Sequence, residues 1–348
     1  MLIHHLSHHE ASHSFKASIL YCCESSKLGQ GENDADVHKN VSLIKEILDY
    51  RVYVTSGFVR RLKNTPRDEM VAYIPCFIAM IMTPALRRHS CYKIMIALAM
   101  VDIMVIPINA ILSGVFLLLG ISYCNCPTLV YVVGCAALAL WTGACALCSI
   151  LALNRCTDLL CNNFHKKIFN GSKIYLWLLF VFLYMAYFFF FTNPLLFSAL
   201  YSAWFFDPFV GISDQPDVGF DNMPHLVNNI TAVVILVVLD STLFLRIIRK
   251  IPIAKERVGH IRTQVTLQVA LIGTLAIVAA VIYIIMQYIS TPYSVIVVGQ
   301  LAWQAGHGAA SFVYFGMNNS IRRAIKRVFW DIIPPKNRAV VATVSRHT

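Results

Sequence analysis

Seven stretches of this chain are apolar for long enough to cross a lipid bilayer as helices. A crossing takes about 20 mostly apolar residues, with a range of roughly 17–25. Residues 70–86, 94–121, 128–153, 174–192, 226–245, 265–289 and 293–316 meet that requirement. The first meets it narrowly, and the fifth carries one acid, Asp240. The pattern predicts an all-α fold, a seven-transmembrane helix bundle over residues 70–318. Asn319 and Ser320 can cap one more helix, over 319–333, with Ile321, Ile325, Val328 and Phe329 on one side. Arg322, Arg323, Lys326 and Arg327 fall on its other side. Such a segment is expected to lie in the membrane interface as a short amphipathic helix, with a cytoplasmic tail over 334–348 after it. The two halves show no internal repeat, which counts against a secondary transporter.

The N-terminal part is different in kind. Residues 1–49 are polar and hold His4, His5, His8, His9 and His13. That composition predicts a disordered tail rather than a metal site. A signal peptide's basic region, apolar core and small-residue cleavage site do not occur there. Residues 50–69 read as an interrupted start of the first span. Val52–Val59 is largely apolar, but Arg60–Met70 puts six charges and a proline into eleven residues. Such a segment is costly in lipid and reads as an insertion, either in the chain or in its gene model.

Charge gives the expected direction of the bundle. Cytoplasmic loops keep lysine and arginine, and here one set of connections holds Arg87, Arg88 and Lys93, then Arg155, Lys166, Lys167 and Lys173. The third connection on that side holds Arg246, Arg249, Lys250, Lys255, Arg257 and Arg262. The opposite loops, 122–127, 193–225 and 290–292, have no lysine or arginine, and the longest carries Asp207, Asp214, Asp217 and Asp221. The N-terminus is therefore expected outside and the C-terminus inside. On that reading Asn40-Val41-Ser42 is a glycosylation acceptor, whereas Asn170-Gly171-Ser172 faces the cytosol. Composition agrees with a membrane protein: 57% apolar and 14% charged, with a mean hydropathy of +0.63, where soluble chains carry about 25% charged residues. The net charge of +11 sits on the cytoplasmic side, because nine basic and nine acidic residues cancel within 1–69. An anionic lipid surface accounts for it, and no nucleic acid is required.

Ionisable and polar groups inside spans are the candidate working residues, since lipid makes them expensive. Asp102 lies about 12 Å into the second span at about 1.5 Å per residue. It reads either as an interior acid that takes a cation or proton on switching, or as a polar anchor between helices. Asp240 sits nearer a watery edge. Arg155, next to Asn154 just past the inner end of the third span, can meet an inserted partner through its five donors or simply snorkel. In the seventh span Gln300, Trp303, Gln304 and His307 stand at i, i+3, i+4 and i+7, one helix face. They predict a polar seam turned to the bundle, with a ligand or switch role. Tyr184, Tyr187 and Phe188–Phe191, then Trp204, Phe205 and Phe206, read as an interfacial aromatic belt, with pocket lining as the alternative.

Several chemistries drop out. All eleven cysteines lie at or before Cys161, and Cys145 and Cys148 form a C-x-x-C inside an apolar run, which reads as a packed helix face. None has the spacing of a zinc site with matching histidines. Hydrolase, zincin and P-loop patterns are absent, and the seventh span has no lysine for a retinal Schiff base. No enzyme, cofactor or metal is expected.

A set of short blocks, in order, resembles one known family. They are Tyr73-Ile74-Pro75-Cys76, Cys91-Tyr92-Lys93-Ile94-Met95, Leu153-Asn154-Arg155-Cys156, and Tyr187 to Thr192 with Asn193-Pro194. Trp204-Phe205-Phe206-Asp207-Pro208, Gly299 to Gln304, His307-Gly308 and Tyr314 to Asn318 with Ile321-Arg322 complete them. The chain resembles the nematode serpentine receptors of class T, rhodopsin-like chemoreceptors of sensory neurons. The resemblance implies a plasma-membrane, multi-pass receptor, in sensory cilia, that binds a small chemical cue and signals to a heterotrimeric G protein. It implies Arg155 as the G-protein-facing arginine with Asn154 beside it, Asp102 as the interior acid and Tyr314 as the switch tyrosine. Three positions depart from the rhodopsin-like pattern. Asn154 replaces the acid before the arginine, no proline shortly precedes Tyr314, and loop 193–225 has no cysteine for the usual outer disulfide. Cys124 or Cys126 would then pair with Cys22 or Cys23, or stay free. The rival functions are a transporter or channel and a non-signalling membrane scaffold.

Overall fold

The computed structural model describes residues 69–123, 125–198, 201–207, 222–250, 257–289 and 291–332. The N-terminal tail with Asn40, the interrupted segment up to residue 68, Cys22, Cys23, Cys124 and the last sixteen residues lie outside them. Seven main helices follow one another among the described residues. They are α1 Glu69–Met82 and α2 Ser90–Leu119, α3 Pro127–Leu160 and α4 Lys173–Phe191. After them come α5 Met223–Lys250, α6 Arg257–Tyr288 and α7 Tyr293–Met317. An eighth, α8, covers Asn319–Ile332, and the short helices Pro84–Arg87 and Asn162–Phe169 sit in connections.

The ends follow local chemistry. Pro127 opens α3, where a missing N–H costs nothing. Pro292, in extended backbone, stands just before α7. Gly120, at φ 65°, ends α2 in the left-handed conformation, and its N–H donates to the Phe116 carbonyl. The start of α8 is capped by Asn318, whose Oδ1 accepts from the N–H groups of Ser320 and Ile321, each at 3.1 Å. That capping role falls one position earlier than Asn319 and Ser320, because Asn318 is the residue in extended backbone between the two helices.

Five of the helices, α2 to α6, are long and apolar enough to cross a bilayer on those grounds alone. The two exceptions have separate causes. The described part of α1 is about 21 Å long at about 1.5 Å per residue, short of a hydrocarbon core of about 30 Å. α7 has 25 residues, ample length, but Gln300, Gln304 and His307 lower its apolar character.

The bundle is organised around α3. In its most apolar stretch 78% of residues are buried, against 17% in α4. α3 packs on α2, α4, α5 and α6, and small residues allow the closest approaches. A side chain at Gly134 would overlap the Leu195 carbonyl oxygen, and one at Gly143 would meet the Met185 sulfur. α3 runs on through Leu160, so Arg155 lies within a helix rather than past its end. Span length marks the edge of the hydrocarbon, and a helix can continue into the interface.

Two local features shape the end of the bundle that holds the 122–127 and 193–225 loops. Within α2 the stretch Pro107–Leu112 forms a wider, π-type turn. Proline has no N–H to give and its ring crowds the carbonyl four residues back, so the helix widens there. The second feature is a β-hairpin inside the 193–225 loop, an addition to the all-helical pattern. Strand β1 Leu196–Ser198 pairs antiparallel with β2 Ala203–Phe205, Phe197 opposite Trp204. Trp204 is fully buried. Its indole N–H donates to Ser113 Oγ at 2.8 Å, and its ring packs against Phe116 and Phe197. The belt reading therefore fails for Trp204, Phe205 and Phe206, all buried, whereas Phe190 and Phe191 are exposed.

Candidate functional site

The polar face of α7 meets the rest of the bundle around one carboxylate. Asp102, 1% exposed on α2, accepts from the Tyr73 hydroxyl of α1 on Oδ2. Its Oδ1 lies 2.7 Å from His307 Nδ1 of α7. A carboxylate that accepts on both oxygens makes Nδ1 the donor, and in a neutral imidazole Nε2 is then the acceptor. Nε2 is buried without a hydrogen-bond partner among the described residues. The imidazole is held in place from both sides by edge-on contacts with Trp141 of α3, at 5.8 Å, and Trp303, at 6.4 Å. Tyr314, also fully buried, sits edge-on to Tyr73 at 6.2 Å. One helical turn before Tyr73, Glu69 is buried against Gly308, where a side chain would overlap its carboxylate. The first two helices and the distant α7 are thus joined at one acid.

Towards the hairpin, the seam is rich in polar atoms that the protein does not pair. Gln300 donates from Nε2 to the Asn109 carbonyl at 3.0 Å, a group that lies in the widened turn of α2. The Tyr283 hydroxyl of α6 donates to Gln300 Oε1 at 3.4 Å. Beside these bonds, both side-chain atoms of Asn109, both of Gln304 and the indole N–H of Trp303 are buried with no partner among the described residues. Asn109, Gln300, Trp303 and Gln304 are all 2% exposed or less. Native proteins pair nearly all such groups, and each left unmade costs about 1–3 kcal/mol.

A second polar strip crosses from α3 to α5 and α4. The Trp141 indole N–H donates to Asn229 Oδ1 at 2.9 Å, and Asn228 Nδ2 donates to the same oxygen at 3.0 Å. Asn228 Oδ1 in turn accepts from the Tyr184 hydroxyl at 3.0 Å. Asn229 Nδ2 lies 3.2 Å from His225 Nε2, and the His225 ring packs on Phe206 beside the hairpin.

At the opposite end of the bundle the contacts close on themselves. Tyr92 of α2 donates to Asn318 Oδ1 at 3.3 Å, and Asn318 Nδ2 donates to Gln268 Oε1 of α6 at 3.2 Å. Gln268 Nε2 then donates to the Val313 carbonyl of α7 at 3.2 Å. Nearby, Asn154 Nδ2 donates to Ser90 Oγ at 2.9 Å. Its Oδ1 accepts from Arg155 Nε at 3.1 Å and Nη2 at 2.5 Å. Arg155 also reaches Asp158 Oδ2 at 3.4 Å. The guanidinium is therefore oriented by its own helix, one neighbour and one turn away.

Over residues 69–338 the sequence matches the family described as "Serpentine type 7TM GPCR chemoreceptor Srt". The chain belongs to this family. It is similar to "Serpentine receptor class T-55" of Caenorhabditis elegans, 24% identical over 270 residues, which cover 78% of this chain and 71% of that relative. The protein is accordingly a multi-pass membrane protein of the serpentine seven-transmembrane chemoreceptor class, a family of receptors rather than of enzymes. The match starts at Glu69, the first described residue of α1.

In this serpentine receptor the residues singled out by sequence fall into two groups. Asp102, His307, Gln300, Trp303, Gln304 and Tyr314 come together along one interior seam. Asn154 and Arg155 lie apart from it, in the Ser90 and Asp158 contacts of the other end. Asp240 is buried rather than at an edge: a side chain at Gly273 of α6 would run into its carboxylate. Cys126 is a free thiol, and Cys145 and Cys148 are buried free thiols inside α3. Sequence reasoning missed Tyr73, Asn109 and Trp141, which complete the seam, and the His225, Asn228 and Asn229 strip. The strip had a signal, three polar residues at i, i+3 and i+4 in an apolar span. Tyr73 and Trp141 had none, since aromatic residues in spans are common.

Proposed function

We propose that this serpentine receptor binds a small chemical cue at the α2–α7 seam and signals to a heterotrimeric G protein from the end that carries Arg155. The observation that supports the reading most directly is the set of buried, unpartnered polar atoms on Asn109, Trp303, Gln304 and His307. They offer an indole N–H, two amide groups and an imidazole acceptor, which is a site for a ligand with both donors and acceptors. The nearby carboxylate of Asp102 already accepts from Tyr73 and His307, so its two oxygens serve to hold helices together. Binding shifts the receptor between two helix arrangements only by the difference in the cue's affinity for them. Within the seam, Tyr314 and Asp102 lie between Asn109, Trp303 and Gln304 and the Arg155 end, where such a difference would be relayed.

In the same reading, loop charge sets the N-terminus outside and the C-terminus inside the plasma membrane of a sensory cilium, with Asn40 available for glycosylation. The test is expression in a sensory neuron with calcium imaging of an odorant panel. A response that is lost in Arg155→Ala and in cells lacking G-protein function supports the reading. A response that survives loss of all G-protein function, or substrate flux without it, would instead point to a channel or transporter.

A further inference from the structure

The Arg155 end of the bundle holds a cavity of about 610 Å3 between the start of α2, the end of α3, the short helix Asn162–Phe169 and the start of α4. Its volume is within the about 300–1,000 Å3 of small-molecule sites. Arg88, Lys93, Arg155 and Lys166 line it, with Asp158 the acid among its lining residues, a formal surplus of three positive charges. His89 and His165 add two imidazoles. Four cations brought together repel one another, so a bound polyanion would gain from all of them at once.

The cavity also borders the apolar outside of the bundle. Ile174 lines it, and the next residues along α4, Tyr175, Leu176, Leu179 and Phe180, are each more than half exposed. Lys93 Nζ lies 4.7 Å over the Tyr175 ring, where the cationic wall and the apolar face meet. A soluble anion would use the charges and leave the apolar border unused. A phospholipid uses both, with its headgroup among the cations and its acyl chains along α4. Basic pockets between transmembrane helices on the cytoplasmic side take such headgroups.

We infer that this cavity is a binding site for a membrane lipid whose headgroup carries phosphate monoesters. It is distinct from the cue site and does not depend on it. It rests on the proposed orientation only for which leaflet supplies the lipid.

The test uses the full-length receptor in nanodiscs, which present both leaflets. The discs contain phosphatidylcholine alone, with phosphatidylserine, or with a bisphosphorylated phosphatidylinositol, and retained lipid is read by native mass spectrometry. Selective retention of the inositol lipid is expected, reduced at least about tenfold in Arg88→Gln/Lys166→Gln. Both of those residues are exposed, so the fold should persist, and an unchanged size-exclusion profile checks it. The control pair Arg246→Gln/Lys326→Gln removes equal charge from exposed positions outside the cavity and should leave retention within about twofold. An equal loss in both pairs would overturn the site in favour of diffuse surface charge. So would equal retention of phosphatidylserine, displacement by a soluble inositol phosphate as effective as by the lipid, or displacement by an acidic peptide. Because no cue or G protein is present, failure here leaves the proposed receptor function untouched.

Discussion

The contact between α2 and α7 is built in two ways at its two ends. Near Tyr92 the side chains bond one another: Tyr92 to Asn318, Asn318 to Gln268, and Gln268 to the α7 backbone at Val313. Near Asn109, about 25 Å along α2 at about 1.5 Å per residue, one bond from Gln300 stands among amide and indole groups that have no partner among the described residues. The first end spends its polar atoms on holding helices together, and the second holds them in reserve. Between the two lies Asp102, whose carboxylate oxygens each accept one bond, from Tyr73 and from His307. The difference teaches that polarity inside a bundle is not one property. A polar residue with its partners in place is a clasp, whereas one without them is a place for something else to bind.

Substitutions can break or sharpen this contrast, and the largest effect is expected in the middle. Asp102→Leu strands the Tyr73 hydroxyl and His307 Nδ1 in the interior, at about 1–3 kcal/mol for each unpaired group. Surface expression of a tagged receptor, read by flow cytometry, should fall most in this variant. Asn318→Leu is next. It removes two interhelical bonds at about 0.6 kcal/mol each and the cap of α8 at about 1 kcal/mol, a loss of about 2 kcal/mol seen as a lower Tm in detergent. At the open end the pattern should invert. His307→Gln keeps a donor for Asp102 but moves the remaining acceptor away from the Nε2 position, so the concentration giving half-maximal response should rise at least about tenfold, about 1.4 kcal/mol. Asn109→Ala should be the mildest on stability, at about 1 kcal/mol or less, because neither amide atom has a partner among the described residues, yet it should still weaken the response. A large fall in Tm for Asn109→Ala would erase the contrast and make that amide structural.

Much of this was legible in the chain because helices announce themselves locally. The run 293–316 and the i, i+3, i+4, i+7 spacing of Gln300, Trp303, Gln304 and His307 needed only helical periodicity, and the structure buries all four. What joined them was not legible. The partner of Asp102 on α1, Tyr73, lies just after a segment whose charges disguise the start of that helix. The hairpin at 196–205 was hidden for another reason. Its pairing is set by register across a turn, and its central residue, Trp204, is buried with its N–H on Ser113 of α2, a partner distant in sequence. Arg155 was displaced in the reading because apolar length measures lipid thickness, not where hydrogen bonding along α3 stops.

The acid that joins α1, α2 and α7 also sets a timetable for biogenesis. His307 follows Asp102 by 205 residues, so at about 5–20 residues per second the ribosome needs about 10–40 s to supply it. Tyr73, made earlier, is the first partner to arrive. Until α7 is inserted, the second span must wait in the membrane with its carboxylate only half engaged. A chain that stops before α7 never completes that engagement, and quality control would meet it as an exposed acid in lipid.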